Sequence, residues 1–236
     1  MHAGSHRTRA REGVEVTQAP NISPPAIVYR MSGLEIALWW IAGLLVLAAG
    51  LRIRSLWWPS AFPPWATRYL EGGLRRRFAG AEQTLCRSGL ERGMRVLEVG
   101  PGGGYLSEQA VSMLGDEGRL VCLDVQIEML RKVRERVGAA RAGLVQASGS
   151  SLPLRDGSFD LVFLVTVLGE IPDKRAAMAE LARVLRPGGT LAVTEAFPDP
   201  DYVRTPVLRR LATQAGFEPG ERRGNATNYT QQLRKP

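Results

Sequence analysis

The chain has 236 residues, a net charge of +8 and a sequence pI of about 10.2, so it can hold one domain of ordinary size plus an appendage. Both histidines, His2 and His6, stand near the N-terminus, which excludes histidine-based catalysis in the rest of the chain. The two cysteines, Cys86 and Cys122, lie in apolar stretches without a neighbouring histidine, and neither a disulfide nor a metal site is expected. Acidic residues are interspersed among the basic ones, and nucleic acid is not expected as a partner.

The N-terminal part of the chain combines a polar tail with an apolar run. Residues 1–33 mix arginine, glutamate, proline and small polar residues without periodicity, which predicts a disordered tail. Residues 36–51 are uncharged, and with Leu34 they would form a helix about 27 Å long, close to the roughly 30 Å of a hydrocarbon core. The run predicts a transmembrane helix over 34–53. A buried core helix and a cleaved signal peptide ending near Gly50 are the alternatives.

Flanking charges give this predicted helix an orientation. Arg30 is the only basic residue among the twenty before the run, whereas Arg52, Arg54 and Arg68 follow it. The positive-inside rule then places the C-terminal side in the cytoplasm. The sequence thus predicts a single-pass membrane protein with its larger domain on the cytoplasmic side.

Residues 54–92 are predicted to form an aromatic and proline-rich collar followed by an amphipathic helix. The collar carries Trp57, Trp58, Phe62 and Trp65, at positions where an interfacial aromatic belt would lie. Packing of this arm on the following domain is the alternative. The helix is predicted from about residue 68 to residue 88 and includes the arginine cluster 75–77.

Residues 93–236 alternate strand-like and helical patterns, which is typical of a doubly wound α/β fold. Predicted strands cover 95–99, 119–124, 144–146, 159–165 and 190–195, and predicted helices cover 105–114, 127–137 and 174–185. Turns are predicted at 115–118 and 186–189. A last helix at about 205–215 precedes a hairpin over 218–223 and 228–233. The pattern predicts five parallel strands and a hairpin, which together make a mostly parallel seven-stranded sheet.

A glycine-rich turn joins the first predicted strand of this domain to its first helix. The apolar strand carries one acid, Glu98, and glycines follow at 100, 102, 103 and 104, which leaves the backbone bare for a ligand to approach. The third glycine of the G-x-G-x-G spacing comes one residue too early for the dinucleotide fingerprint G-x-G-x-x-G. The pattern E-x-G-x-G-x-G resembles the first motif of the class I S-adenosylmethionine (SAM) dependent methyltransferases.

Three further motifs are similar to that family in order and spacing. Asp124 ends the second strand, where a carboxylate can accept hydrogen bonds from both ribose hydroxyls; a helix-capping acid is the alternative. Residues 146–160 resemble the family's G-D-A-x-x-L-P-x-x-D-x-S-F-D, with Ser148 at the position of the Asp that usually contacts the adenine amino group. Residues 159–172 and the Leu185-Arg-Pro-Gly-Gly segment are similar to the fourth motif and to the turn into the fifth strand.

The resemblance implies that SAM is the cofactor and identifies the residues around it. The implied cofactor-binding residues are Glu98, Gly100, Gly102, Gly104, Tyr105, Asp124, Val125, Ser148, Gly149 and Thr166. In the family pattern Val125 lies against adenine, and Thr166 borders the methionine moiety. Glu170 is the only acid near the methyl-transfer point and is the candidate general base, although a helix-capping role is the alternative. Many relatives carry His or Asn in its neighbourhood, so this part of the site differs from the family.

Methyl transfer from SAM needs alignment and exclusion of water, and a base only where the acceptor loses a proton. The segment 196–203 after the fifth strand is short, so the cover over the acceptor is expected from the N-terminal collar. The sequence predicts a membrane-anchored SAM-dependent methyltransferase acting on a lipophilic small molecule or lipid. An RNA or protein methyltransferase docking through 75–77 and a non-catalytic SAM-binding module are the alternatives.

Overall fold

The computed structural model describes residues 32–57, 80–138, 140–197 and 199–236. We number its helices and strands in chain order. The helices are α1 (Gly33–Trp57), α2 (Ala81–Ser88), α3 (Tyr105–Leu114), α4 (Ile127–Val137), α5 (Lys174–Val184) and α6 (Thr205–Gln214). The strands are β1 (Arg95–Val99), β2 (Arg119–Asp124), β3 (Ala142–Gln146), β4 (Phe159–Val165), β5 (Leu185–Ala196), β6 (Glu218–Gly224) and β7 (Asn228–Arg234).

The seven strands form one sheet in the order β3-β2-β1-β4-β5-β7-β6. The first five strands along the chain pair in parallel, and β7 runs antiparallel between β5 and β6. This confirms the predicted doubly wound, mostly parallel seven-stranded sheet. The order reverses between β1 and β4, so the carboxyl ends of β1, β2 and β4 meet around a crevice where α/β sheets bind ligands.

Both faces of the sheet are buried under helices, which explains why the central strands read as nearly continuous apolar runs. On one face Val162, Leu164 and Val193 pack against α5 and α6. On the other face Val96 and Phe163 pack against α2, α3 and α4. The apolar spacing of each helix therefore matches a sheet face, and the sheet holds the loops at its carboxyl edge in fixed positions.

The described strands differ from the predicted ones mainly in β5. A turn was expected at 186–189, but the strand already begins at Leu185. The physical reason is a distant pairing, because the Gly188 N–H donates to the Lys235 carbonyl and the Lys235 N–H donates to Gly189. Gly188 supplies the left-handed φ of +74° that this irregular stretch requires. Strand β3 also begins earlier than predicted, at Ala142.

Helix α1 covers the predicted transmembrane range, and its described apolar side chains are exposed, with Trp39 and Trp40 more than 70% accessible. Across the part of the chain that the structure describes, none of the helices combines the length and apolarity needed to cross a membrane. The predicted transmembrane helix is therefore not confirmed. The uncharged run 36–51 is sixteen residues long and lies between Glu35 and Arg52, whereas a span takes about 20 apolar residues.

Other N-terminal predictions lie outside the described residues. These are the tail up to residue 31, the collar beyond Trp57 and the arginine cluster 75–77. Of the predicted amphipathic helix, α2 is the described part. It ends at Gly89, which adopts the left-handed conformation and returns its N–H to the carbonyl oxygens of the last turn.

Arg183 on α5 fixes the loop that follows β3. Its guanidinium donates to the carboxylates of Glu180 and Asp156 and to the carbonyl oxygens of Leu152 and Leu154. The hydrogen bonds from Arg183 lower the pKa of Glu180 to about 2. One side chain thus closes the loop over 152–156 with charge-assisted bonds, which are stronger than neutral ones.

Replacing Arg183 tests this closure. We expect Arg183→Ala to lower the free energy of unfolding by about 2 kcal/mol, because several partly buried acceptors lose a charged donor. Denaturant unfolding measures the change. Arg175→Ala, an exposed position on the same helix, is the matched control and should leave the midpoint within experimental error. Equal midpoints for both variants would contradict the closure.

Candidate active site

The glycine-rich turn between β1 and α3 lies at the crevice of the sheet. Gly100, Gly102 and Gly104 all have positive φ, at +72°, +55° and +82°. A Cβ on Gly100 would lie 2.4 Å from Cγ2 of Val167, and one on Gly104 would lie 3.1 Å from Cα of Val133. A Cβ on Gly102 would meet nothing within 4 Å. Gly100 and Gly104 are therefore needed for internal packing, whereas Gly102 presents bare backbone to open space.

Glu98 lies beneath this turn and supports it. Its carboxylate is 2% exposed and accepts a 2.6 Å hydrogen bond from the hydroxyl of Ser107 on α3. The Cys122 thiol donates to the same oxygen. Burial, and then the neighbouring Glu98 charge, raise the pKa of this thiol. The acid thus ties β1 to the first turn of α3, and its predicted contact with the methionine amino group stays a prediction.

Asp124 and Val125 stand side by side at the carboxyl end of β2. One carboxylate oxygen of Asp124 accepts a 2.9 Å hydrogen bond from the Gln126 N–H, which fixes its direction. Burial raises the pKa of Asp124, although the backbone hydrogen bonds from Gln126 and Val125 lower it in part. The Val125 side chain is 55% exposed, unlike its apolar neighbours. A fixed carboxylate beside an exposed apolar side chain fits a ribose next to a flat base.

Ser148 and Gly149 follow β3 on the same edge of the sheet. The Ser148 hydroxyl pairs with the Ser150 hydroxyl at 2.9 Å and also accepts from the Ser150 N–H. A Cβ on Gly149 would lie 2.8 Å from Cδ1 of Ile171, so this glycine is required for packing against the loop after β4. The structure therefore brings both predicted residues to the crevice edge, with the Ser148 side chain engaged in a local turn.

Thr166 and Glu170 occupy the loop after β4. Among the described residues, Thr166 is the one non-glycine residue with positive φ, at +56°, and its N–H donates to Thr194 on β5. Backbone strain of this kind occurs where surrounding structure enforces it, often at functional sites. Glu170 is half-buried and its N–H donates to the Val167 carbonyl. Tyr105 begins α3 and is also half-buried.

Gly169 explains one departure from the family pattern. A Cβ there would lie 1.8 Å from the main-chain oxygen of Asp201. Any other residue would displace the loop over 199–203, which rests on the loop after β4. The His or Asn common near this position in relatives is therefore excluded from position 169 by packing in this chain.

Sequence reasoning missed Glu195, the penultimate residue of β5. The side chain is 1% exposed, one oxygen accepts from the Val203 N–H at 3.2 Å, and Oε1 has no hydrogen-bond partner. Burial, and then the carboxylates of Asp199, Asp201 and Glu170, raise the pKa of Glu195 to about 8. The available signal is an acid inside an apolar strand, a feature that Glu195 shares with Glu98.

Residues 97–193 match the family described as "Methyltransferase domain". A solved SAM-dependent methyltransferase from Aquifex aeolicus superposes with a TM-score of 0.68 at 23% identity, over 75% of this chain and all of that one. With the seven-stranded sheet and the glycine turn, these findings define a class I SAM-dependent methyltransferase domain, and SAM is its cofactor.

Curated relatives give a more particular likeness. The chain is 36% identical over 139 residues to the ubiquinone/menaquinone biosynthesis C-methyltransferase UbiE of Shewanella oneidensis, which covers 57% of this chain and 54% of the relative. It is also 36% identical over 116 residues to the protein of the same name from Serratia proteamaculans. That match covers 48% of this chain and 46% of the relative. The chain spans about half the length of the curated relatives that it matches.

The crevice residues fit SAM in three separate respects. Open backbone at Gly102 allows close approach, a fixed carboxylate at Asp124 offers an acceptor to hydroxyl groups, and exposed Val125 offers an apolar surface. Across the described residues, no group of three or more His, Cys, Asp or Glu side chains could hold a metal ion. The assignment of individual cofactor contacts stays a prediction.

Gly102 provides a test of the cofactor site. We expect Gly102→Ala to weaken binding of S-adenosylhomocysteine at least tenfold, because a methyl group would occupy the open side of the turn. The backbone strain of a positive φ costs about 1–2 kcal/mol and must be separated from this effect. Gly188→Ala is the matched control, with φ of +74° and nothing within 4 Å of its Cβ. Isothermal titration calorimetry should show normal affinity for the control, and normal affinity in both variants would reject the assignment.

Glu195 provides a second test through stability. Its pKa is about 8 in the folded protein against an ordinary 4.5, so the folded state favours the neutral form. Its contribution to stability is present below about pH 4.5 and is lost as the pH rises toward 8, with a loss on the order of a few kcal/mol. Glu195→Gln should therefore gain stability relative to the wild type as the pH rises. Melting temperatures across this range measure the difference, and a constant difference would contradict the burial argument.

Proposed function

We propose that this protein transfers a methyl group from SAM to a lipophilic acceptor of the quinol type at a membrane surface. The observation that carries the proposal is the likeness to relatives named as ubiquinone/menaquinone biosynthesis C-methyltransferases. The separate match of residues 97–193 to the family described as "Methyltransferase domain" includes the cofactor crevice. The coverage of about half of those relatives leaves their acceptor a proposal for this chain. Relatives named for methyl transfer also favour catalysis over a non-catalytic SAM-binding module.

The acceptor end of the crevice supports an acceptor that carries hydroxyl groups. Three carboxylates, on Glu170, Asp199 and Asp201, lie close enough to Glu195 to raise its pKa. Carboxylates accept hydrogen bonds and repel anions, so they suit phenolic hydroxyls and disfavour phosphate or carboxylate headgroups. Phe197, 64% exposed, adds an apolar surface just beyond β5. A neutral ring with hydroxyl groups and an apolar tail satisfies both features.

Helix α1 supports a location at a membrane. Its described large apolar side chains are 46–72% exposed, which is costly in water because roughly 25 cal/mol is lost for each Å² of apolar surface left uncovered. A lipid surface would cover them, and Arg52 and Arg54 follow the run where anionic headgroups would lie. We propose that α1 associates with the cytoplasmic side of a membrane, since SAM is made in the cytosol. The collar residues Trp58, Phe62 and Trp65, proposed to border the acceptor's path, lie outside the described residues.

Methyl transfer from SAM requires few catalytic groups from the protein. When bound, SAM supplies a methyl group already activated by its positive sulfur. Asp124 and the Gly102 turn hold the nucleoside and methionine parts, and the strained loop at Thr166 borders the transfer point. Glu170, as a carboxylate, would take the phenolic proton. The ring carbon that gains the methyl group would then release its own hydrogen as a proton, which restores the aromatic ring, and the phenolic oxygen would regain a proton, so that one proton is released overall. Alignment and a dry site supply the remaining rate enhancement.

The proposal is tested by product detection. Purified protein is incubated with labelled SAM and one of three acceptors: a reduced long-chain quinone in lipid vesicles, anionic phospholipid vesicles, or RNA. We expect a mass gain of one methylene on the quinol alone. Methylation of RNA or phospholipid, with the quinol unchanged, would overturn the proposed acceptor class.

A truncation separates membrane association from chemistry. Removing residues 1–55 should leave S-adenosylhomocysteine binding unchanged, because the glycine turn and Asp124 are retained. Turnover of the long-chain quinol in vesicles should fall at least tenfold, while turnover of a short-chain, water-soluble quinol stays the same. Equal turnover of the vesicle-borne acceptor by the truncated protein would rule out a role for α1.

A further inference from the structure

Glu195 is a buried acid near the candidate base, close enough to Glu170 for that carboxylate to raise its pKa. Glu195 lies one residue before the end of β5, and its neighbour Thr194 accepts from the N–H of the strained Thr166. A backbone hydrogen bond therefore connects the end of β5 to the loop that carries Glu170. Nothing in the methyl-transfer scheme above uses Glu195.

Glu195 also holds the loop over residues 199–203. The Val203 N–H donates to Oε2 of Glu195, and the Tyr229 hydroxyl donates to the Val203 carbonyl. On its other side this loop rests against Gly169, where even a Cβ would overlap the oxygen of Asp201. The buried side chain of Glu195 thus joins β5 to loop 199–203. This loop packs on Gly169, the residue before Glu170.

The surroundings of Oε1, the second oxygen of Glu195, favour the neutral form of this carboxyl group. Oε1 is buried and has no hydrogen-bond partner, so a full negative charge there would be desolvated without compensation. Three other carboxylates, from two loops, face the same region. A neutral acid avoids both costs, whereas an ionised one adds repulsion to the loop that it is meant to hold.

The two acids at this end of the site have different environments. Glu195 is almost fully buried, whereas Glu170 is half-buried in the loop after β4. Pairs of carboxyl groups whose surroundings push their protonation apart commonly divide the acid and base roles between them. Burial favours the neutral form at Glu195, and Glu170 is the more exposed of the two.

We infer that Glu195 is a positioning residue for methyl transfer: as a neutral acid it fastens loop 199–203 to β5 and leaves Glu170 as the carboxylate on the acceptor side. The inference rests on the proposed function, because it assigns Glu195 a part in presenting the acceptor to the base. Ionisation of Glu195 loosens the loop and lowers turnover at alkaline pH. The groups that face it are Glu170 on the β4 loop, Asp199, Asp201 and Tyr202 on its own loop, Tyr229 on β7, and Arg222, whose guanidinium stacks on Tyr229.

The test compares wild type with Glu195→Gln in the full-length protein. Glutamine keeps an oxygen for the Val203 N–H but cannot ionise, and its amide can donate to the surrounding carboxylates. With a short-chain quinol and SAM, we expect the ratio of variant to wild-type kcat to be near one at about pH 6. The ratio should rise to about fivefold at about pH 9, above the pKa of Glu195. A ratio that stays constant across this range overturns the inference.

Hydrogen exchange supplies a measurement that does not need catalysis. The Val203 amide should lose protection in the wild type relative to Glu195→Gln as the pH rises through about 8, because the buried charge at Oε1 and its repulsion by three nearby carboxylates outweigh the stronger hydrogen bond at Oε2. Glu195→Ala should lose this protection at every pH. Glu221→Gln, an exposed acid on β6, is the matched control and should reproduce the wild-type profile in both measurements.

The two measurements separate the inference from the proposed function. If no quinol is methylated but Val203 protection follows the expected pH dependence, the acceptor proposal fails and the structural role of Glu195 stands. If the quinol is methylated and both the rate ratio and Val203 protection are independent of pH, the role of Glu195 fails and the proposed function stands.

Discussion

The site depends on the left-handed backbone of the turn between β1 and α3. Gly100 is pressed against Val167 and Gly104 against Val133, so the turn is clamped between the loop after β4 and helix α4. No side chain larger than hydrogen fits at the first of these positions without displacing Val167. This clamp fixes the open face of Gly102 relative to Asp124 on the next strand. Close packing behind the turn therefore shapes the crevice, and Gly102, the one of the three glycines that faces open space, is the one predicted to face the cofactor.

Two buried acids, Glu98 in β1 and Glu195 in β5, show how environment assigns roles to identical side chains. Glu98 accepts from Ser107 and Cys122, and it ties a strand to a helix. Glu195 accepts from one backbone N–H and keeps an unpartnered oxygen among other carboxylates. Glu98 is surrounded by hydrogen-bond donors, whereas the surroundings of Glu195 favour proton uptake. The difference arises from donors on other elements, so neither role can be read from the acid itself.

The sequence predicted the elements whose signals are local, and it was wrong or silent where distant contacts decide. The bounds of β1, β2 and β4 follow from unbroken apolar runs between turn residues, and the structure confirms them. The Pro-Gly-Gly residues by themselves predict a turn at 186–189. The segment is instead part of a strand because it pairs with Lys235, a contact that is remote in sequence. The tight contact of Gly169 with Asp201 and the hold of Glu195 on Val203 are equally remote. Motifs thus located the crevice, whereas the contacts of Gly169 and Glu195 could be seen only in the fold.

Ser148 predicts a recognition of the nucleoside that differs from the pattern implied by the family motif. An Asp at position 148 would offer the adenine amino group an ionised acceptor, but Ser148 is neutral and its hydroxyl is bonded to Ser150. Hydrogen bonds to charged groups are worth more than those to neutral ones. We therefore expect Asp124 to carry most of the polar recognition at this end and exposed Val125 to contribute apolar contact with the base. On this prediction, discrimination falls on the ribose hydroxyls and on the shape of the base rather than on its amino group.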